Sequence, residues 1–361
     1  MRGIVTNDDS EYIFPNTDGA SGDANGVDLY PDGFNTRFTG GGMNASGNTY
    51  VYMAIRRPDR YCGKPAEAGT DVFAMDTASG SSTIPTWDSG FPVDFRFHRT
   101  PGISGDWYTG TRLTGGGRYV KTNSSDAEAN IAGTDDDSNE GFGTTHDSSW
   151  QAWMWKRHAG LDVVTVTPGV TGERIQHNLG KVPEMIWAKD RGQSAQWSVY
   201  HKGLNGGTNP EEYRLKINAD DADQDTANAW NDEAPTATDF TVGSWPVNNA
   251  MIFILFASVD GISKVGYYSG QSGNLDLDLG FAARFIVIKR TNAAGEWWVF
   301  DSFRGIVSGN DYRLYLNSNA SQNNSDDWVD AHSDGITINN NTHQDILTTS
   351  SSDKYIYYAH G

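Results

Sequence analysis

The chain has 361 residues, of which 27 are basic and 46 are acidic, so its formal net charge at pH 7 is −19. A surface of that charge repels phosphate backbones and anionic lipid heads, and the sequence contains no basic patch large enough to reverse this. We therefore expect no nucleic-acid partner. Aromatic residues make up 12% of the chain, which is enough for a packed core, and the 41 glycines favour short strands and tight turns.

Membrane insertion and internal disulfide bonding are not expected either. The longest apolar run, residues 250–259, is half of the roughly 20 residues that a membrane-spanning helix needs. The single cysteine, Cys62, has no partner for an internal disulfide and lies in a polar stretch. The first ten residues show no secretory-signal pattern, so the sequence gives no reason to expect export by that route.

A set of landmarks recurs along the chain with a period of about one hundred residues. In each copy a strand-like stretch ends in asparagine, an acidic stretch follows, then comes a short strand of the DGF type, and an aromatic strand closes the copy. This recurrence predicts tandem domains. In chain order the asparagines are Asn16, Asn123, Asn218 and Asn317, the short strands contain Phe34, Phe142, Phe240 and Ile336, and the closing strands are YVYMA, WQAWMW, MIFILFA and YIYYA.

The landmarks divide the chain into one partial and three complete copies. We expect residues 1–61 to hold the second half of a repeat plus a linker, and residues 62–158, 159–258 and 259–361 to be complete repeats. Met1 aligns with Phe303, in the middle of a repeat. Because half of a sheet domain exposes an apolar face and unpaired edges, we expect either that Met1 is internal to a longer chain or that a partner supplies the missing strands.

Within each copy the pattern is that of short strands. Stretches such as FIVIK and WWVF have the β-branched and aromatic density of sheet, and clusters of Gly, Asn and Pro interrupt them. A short helix is the one alternative, at residues 218–230 and at the counterpart stretches 123–130 and 317–324. The sequence therefore predicts an all-β protein of tandem β-sandwich repeats, jelly-roll or lectin-like. Short linkers between the copies favour a rod or a string of beads.

Three tryptophans recur at one place in the copies and have two interpretations. Trp197 and Trp297 each follow a lysine by eight residues, Lys189 and Lys289, and Trp107 holds the same place in the first complete copy. Aromatic side chains are platforms for sugar rings, which makes all three candidate ligand-binding residues. Core packing is the favoured interpretation, because they lie within alternating apolar strands.

Acidic residues supply the candidate metal site. Asp221, Asp223 and Asp225 alternate in DADQD and could offer carboxylate oxygens to Ca²⁺. The stretch lacks the glycine and the distal glutamate of an EF-hand loop, so a solvated acidic loop is favoured over a calcium site. Asp276 and Asp278 alternate with leucine and are interpreted as the polar face of a strand.

The histidines are scattered and point to no shared chemistry. His177 precedes a Leu-Gly turn, and because the corresponding stretches of the other copies lack a histidine, a turn-stabilising role is favoured over a catalytic one. The HExxH pattern, nucleophile elbows, phosphate-binding loops and paired cysteines are absent from the sequence. We therefore expect no catalytic residues and no cofactor other than the calcium considered above. The remaining scattered histidines considered are His98, His146, His201 and His360.

The landmarks resemble a family of domains of unknown function that occur in tandem in bacteriophage virion and tail-fibre-like proteins, especially those of marine phages. The motifs that carry the resemblance are HNLGKVPEMIWAKDR, WWVFDSFRGIVSGND and MNASGNTYVYMAIRRP. The resemblance covers essentially the whole chain, although the first complete copy departs from it with DFRFHR. It implies a phage structural appendage and assigns no catalytic residues.

Three functions are therefore considered. The favoured one is a non-enzymatic tail-fibre or capsid-appendage protein located in the virion, with other virion proteins and host-surface glycans as partners and with homo-oligomers expected. A carbohydrate-binding module of a surface or secreted protein is the first alternative. A glycan-degrading tailspike is the second, and its paired carboxylates cannot be found from spacing along the chain alone.

Overall fold

A computed structural model describes residues 68–340 and 345–361, and residues 10–12, 14–16, 18–19, 22–24, 27–30, 33–36 and 44–53 of the preceding part. Met1 and Cys62 lie outside these residues. The described part is all-β, as predicted, and its strand pairs are antiparallel throughout. None of its helices is long and apolar enough to cross a membrane.

The described residues before residue 68 include four short strands in two hairpin-like pairs. Strand β1 pairs with β2, and β3 pairs with β4. The strand predicted at YVYMA does not form in residues 50–53, where the exposed fractions of Val51 and Met53 are 99% and 85%. In the three later segments the corresponding strand lies between two partner strands, whereas none of the strands described before residue 68 pairs with residues 50–53. The four strands are β1 Ser10–Tyr12, β2 Gly22–Ala24, β3 Val27–Tyr30 and β4 Gly33–Thr36.

The first segment, residues 68–158, forms a six-stranded sheet and a two-stranded sheet. The strand order is β10-β9-β8-β7-β12-β5 in the large sheet and β11-β6 in the small one. Two 3-10 turns, Gly69–Asp71 and Arg112–Thr114, complete it. The strands are β5 Phe73–Thr77, β6 Trp87–Asp88, β7 Phe95–Arg99, β8 Tyr108–Thr111, β9 Arg118–Lys121, β10 Ala129–Asn130, β11 Gly141–Phe142 and β12 Gln151–Trp155.

The second segment, residues 159–258, repeats this order with β13-β20-β15-β16 in its main sheet and β14-β19 in a small one, beside the pair β17-β18. Its 3-10 turns are Leu204–Gly207 and Pro210–Glu212. Of the helix predicted at 218–230 only one turn forms. The elements are β13 Leu161–Val166, β14 Arg174–Gln176, β15 Met185–Asp190, β16 Ser198–His201, β17 Tyr213–Arg214, β18 Gln224–Asp225, α1 Ala227–Trp230, β19 Asp239–Thr241 and β20 Met251–Phe256.

The third segment, residues 259–361, has β21-β28-β23-β24-β25 in its main sheet and β22-β27-β26 in its small sheet. No helix forms at the counterpart stretches 123–130 and 317–324, whose residues lie in turns, irregular backbone, the strand β10 and an isolated bridge. The strands are β21 Ser263–Ser269, β22 Leu275–Asp278, β23 Phe285–Arg290, β24 Trp297–Asp301, β25 Leu314–Tyr315, β26 Val329–His332, β27 Gly335–Ile338 and β28 Lys354–His360.

One apolar core is shared by all three segments. It contains Phe97 of the first segment, Trp187 of the second and Val287 of the third, which occupy the third position of β7, β15 and β23. Side chains alternate across a strand, so the other face of each main sheet points away from this shared core. That outer face packs in a separate core within each segment. The alternation therefore gives every main sheet two buried faces.

The first and third segments are in direct contact, which a string of beads would not allow. The indole Nε1 of Trp107 donates to the backbone oxygen of Tyr315 at 2.7 Å, although the two residues are 208 positions apart. The expected linear arrangement is therefore wrong. Its physical reason is the apolar inner face of each sheet, which would be exposed to water if the segments were separate.

Candidate functional site

The three recurring tryptophans lie at the contacts between segments, which we call the joints. Each indole Nε1 donates to a backbone oxygen of another segment. The backbone N–H of each tryptophan donates to the side-chain oxygen of an asparagine in its own segment, at 3.0 Å. These asparagines are the landmarks Asn123, Asn218 and Asn317. The indole bonds are Trp107 to Tyr315, Trp197 to Lys121 and Trp297 to Lys216, at 2.7, 2.7 and 2.8 Å.

Two further backbone bonds recur at each joint. The residue two positions before the tryptophan donates to the residue two positions after a landmark asparagine. The residue five positions after that asparagine donates back across the joint. The first set is Gly105 to Asn319, Ala195 to Ser125 and Gly295 to Asp220, at 2.8, 2.8 and 2.9 Å. The second set is Gln322 to Pro101, Glu128 to Arg191 and Asp223 to Thr291, at 2.7, 2.9 and 2.7 Å.

The joints connect the second segment to the first, the third to the second, and the first to the third. Trp107, Trp197 and Trp297 are 0 to 1% exposed. These buried rings pack at the joints, in keeping with the core-packing interpretation favoured from the sequence. Their recurrence in the sequence reflects a contact between segments rather than a ligand.

A buried cation lies beside each joint, and sequence reasoning gave it no role. Arg99, Lys189 and Lys289 occupy the last or next-to-last position of β7, β15 and β23, and their exposed fraction is 0%. Arg99 donates across its joint to the backbone oxygen of Ala320 at 2.7 Å, and Lys289 donates across its joint to that of Asp220 at 3.2 Å. Burial lowers the pKa of each lysine to about 8.

The aspartates considered for calcium have separate partners. Asp221 forms an ion pair with Lys216 at 2.7 Å, Asp223 accepts the Asn205 N–H at 2.8 Å, and Asp225 lies in β18. Within the described ranges, no three His, Cys, Asp or Glu side chains are grouped in a way that could hold a metal ion. Asp276 and Asp278 are exposed positions of β22, which confirms the polar strand face.

Several of the described histidines stabilise turns. His177 Nδ1 accepts the N–H of Leu179 at 3.2 Å, as predicted for a turn-stabilising residue. His158 and His201 make the same bond to the residue two positions later, at 3.1 and 2.9 Å. Buried His360 lies at the end of β28, where its Nδ1 is 3.0 Å from the backbone oxygen of Gly361.

The departure of the first segment, DFRFHR, has a structural consequence on its outer face. Arg96 and His98 occupy strand positions where the other segments have small or branched apolar residues. Arg96 forms an ion pair with Asp136 at 3.0 Å, both side chains being 1% exposed. His98 is 0% exposed and packs within 6.0 Å of the His146 ring. An aromatic and ionic core thus replaces an aliphatic one in this segment.

A cavity of about 390 Å³ opens on the second segment. Lys181 donates to the backbone oxygen of Ser258 at 2.9 Å, and Lys202 pairs with Glu184 at 2.6 Å. Sequence reasoning missed this site, although the aligned stretches GFPVDF, GKVPEM and GFAARF already show a lysine where the other two have phenylalanine. The lining residues are Lys181, Val182, Pro183, Glu184, Tyr200, Lys202, Ala257 and Ser258.

Comparison with known proteins identifies one family. A family model described as "Domain of unknown function (DUF7483)" matches residues 154–361, more than half of the chain. No curated protein matches the chain.

Proposed function

We propose a structural function for this chain, which belongs to the DUF7483 family. In this proposal it is a non-enzymatic protein of a bacteriophage virion, displayed as a tail-fibre or capsid appendage. Residues 62–158, 159–258 and 259–361 are tandem β-sandwich repeats, and they close into a ring around one core. Other virion proteins and a host surface are its partners.

The observation that carries the proposal is that the recurring residues pack and form hydrogen bonds at the contacts between segments. The tryptophan, the landmark asparagine and the buried cation recur in all three segments, and each is engaged in packing or in backbone hydrogen bonds at or beside a joint. Catalytic groups that recurred would need access to a substrate, whereas these side chains are largely shielded from it. The recurring chemistry therefore supports assembly and rigidity rather than turnover.

The virion setting is supported by the resemblance of the sequence motifs to those of phage appendage proteins. A closed ring of small antiparallel sheets also suits a particle exposed to the medium, because closure leaves fewer free apolar faces than separate repeats would. Because one fold can host many functions, the location of the protein is the observation that tests this proposal.

Purified particles test this proposal directly. We expect mass spectrometry of density-gradient-purified particles, from the phage whose genome encodes this chain, to detect the chain at an abundance comparable to other structural proteins. We expect it to remain on the particles after a high-salt wash. The matched control is the soluble fraction of the same lysate. Recovery of the chain in the soluble fraction alone would contradict a virion location, and reducing-end release from host polysaccharide by the purified chain would contradict a non-enzymatic role.

A further inference from the structure

The cavity on the second segment lies beside a lysine whose position is occupied by phenylalanine in the other two segments. Three glycines lie five positions before the first residues of β7, β15 and β23, and their φ values are 73°, 74° and 79°. They are Gly90, Gly180 and Gly280. The residue after the glycine is Phe91 in the first segment and Phe281 in the third, 4% and 8% exposed in the outer cores. In the second segment it is Lys181, which is exposed, and the space beside it is open.

The lining has an unbalanced positive charge. Lys202 is neutralised by Glu184, whereas Lys181 is bonded to a backbone oxygen and, among the described residues, has no carboxylate within 4.0 Å. Burial alone would raise the pKa of Glu184, but its hydrogen bonds from Lys202 and Ser258 hold that pKa below the usual value, so the carboxylate is ionised at neutral pH. Two ammonium groups and one carboxylate leave one positive charge, on a chain whose net charge is −19.

The rest of the lining offers apolar contact and further polar partners. Tyr200 is 5% exposed and Val182 is 48% exposed, and both line the cavity with Pro183 and Ala257. The exposed aliphatic side chain of Val182 can pack against the C–H face of a sugar ring, whereas Tyr200, Pro183 and Ala257 form the buried floor of the cavity. The Glu184–Lys202 pair can accept from and donate to hydroxyl groups. A volume of about 390 Å³ lies within the usual range of small-ligand sites.

We propose that this cavity binds a carboxylate-bearing sugar residue of an acidic glycan, with Lys181 holding the carboxylate. One uncompensated ammonium matches one anionic group, whereas a densely charged polymer would be repelled by the acidic remainder of the chain. The inference rests on the proposed function only for the source of the ligand, a glycan of the host surface. The binding chemistry itself comes from the cavity.

Calorimetric titration of the full-length chain tests this inference. The probes are the methyl glycosides of glucuronate and galacturonate, the neutral methyl glycosides of glucose and galactose, and sodium sulfate. We expect saturable binding of at least one uronate and weaker binding of the neutral glycosides and of sulfate. Lys181→Phe, which introduces the residue found at positions 91 and 281, is expected to keep the fold and to weaken uronate binding at least about tenfold.

Two more variants keep the test decisive. Lys181→Gln removes the charge without filling the cavity and is also expected to weaken uronate binding. It provides the test if Lys181→Phe does not fold. Lys156→Met removes one positive charge outside the cavity lining and is expected to leave binding unchanged. Absence of saturable uronate binding, equal affinity in the Lys181 variants, or sulfate binding as tight as uronate binding would overturn the inference. If the chain is found in purified particles but binds no uronate, only the inference about this cavity is contradicted. If the chain binds uronate but is absent from particles, only the virion proposal is contradicted.

Discussion

Replacing Trp297 by alanine is expected to lower the free energy of unfolding by about 3–5 kcal/mol, the usual cost of deleting a buried aromatic side chain. Trp297 is 1% exposed in the core that the three segments share, and its indole bonds to Lys216 across a joint. The alanine variant loses both the packing and the hydrogen bond. Equilibrium denaturation followed by circular dichroism measures the change.

Two matched variants separate these contributions. Trp297→Phe keeps most of the volume but leaves the Lys216 oxygen without its indole donor, and it is expected to cost about 1–3 kcal/mol. Phe303→Ala removes an aromatic side chain that is 48% exposed in the same segment, and a change within about 0.5 kcal/mol is expected. A loss below about 1 kcal/mol for Trp297→Ala would show that the joint does not hold the fold together.

Acidification from pH 7 to pH 5 is expected to destabilise the protein through its buried histidines. His201 and His360 are 0% exposed, and burial lowers the pKa of each from 6.5 to about 3. His201 Nδ1 already accepts the Gly203 N–H, and Nε2 lies 3.2 Å from the backbone oxygen of Tyr357, so the neutral ring is the form that fits. Burial also lowers the pKa of His98 and His158 well below the usual value.

The sign follows from proton binding. Below pH 6.5 the unfolded chain protonates His201 and His360, whereas the folded chain resists their protonation until about pH 3. Their contribution to stability is therefore complete above pH 6.5 and is lost as the pH falls toward 3. For His201 the loss between pH 7 and pH 5 is about 2 kcal/mol. Burial raises the pKa of Asp311 to about 6, which acts in the opposite direction over part of this range.

A difference measurement isolates the histidine contribution from that of the carboxyl groups. We expect the stability gap between wild type and His201→Gln to shrink by about 2 kcal/mol when denaturation is repeated at pH 5 instead of pH 7. A gap that is the same at both pH values would mean that His201 titrates alike in the folded and unfolded chains. The same comparison with His360→Gln provides an independent repeat.

The strands of each segment could be predicted from the sequence, because their apolar and aromatic residues alternate locally. The DGF-type strands and three of the four closing strands form where their landmarks lie, as β4, β11, β19, β27, β12, β20 and β28. The predicted helix was mostly wrong. Only Ala227–Trp230 forms, with Thr226 bonding to the Asn228 N–H at its start and Asn231 in the left-handed region at its end.

Contact between the first and third segments could not be predicted, because a hydrogen bond between residues 208 positions apart leaves no local pattern. The recurring tryptophan and asparagine were visible in the sequence, but their spacing fits a separate core in each repeat equally well. Which surfaces the strands bury became clear only from the register of β7, β15 and β23. The cavity is different, because the replacement of phenylalanine by lysine at position 181 was already present in the aligned copies.

The most direct test of the closed arrangement is a distance between the first and third segments in the full-length chain. Ile103 and Ala320 both place a backbone oxygen on the Arg99 guanidinium, at 3.3 and 2.7 Å, and both side-chain positions are exposed. Spin labels on cysteines at these positions, in a Cys62→Ser background, are expected to lie well within the width of one domain, about 30 Å. A distance distribution centred beyond about 30 Å would mean that a repeat separates them and would contradict closure.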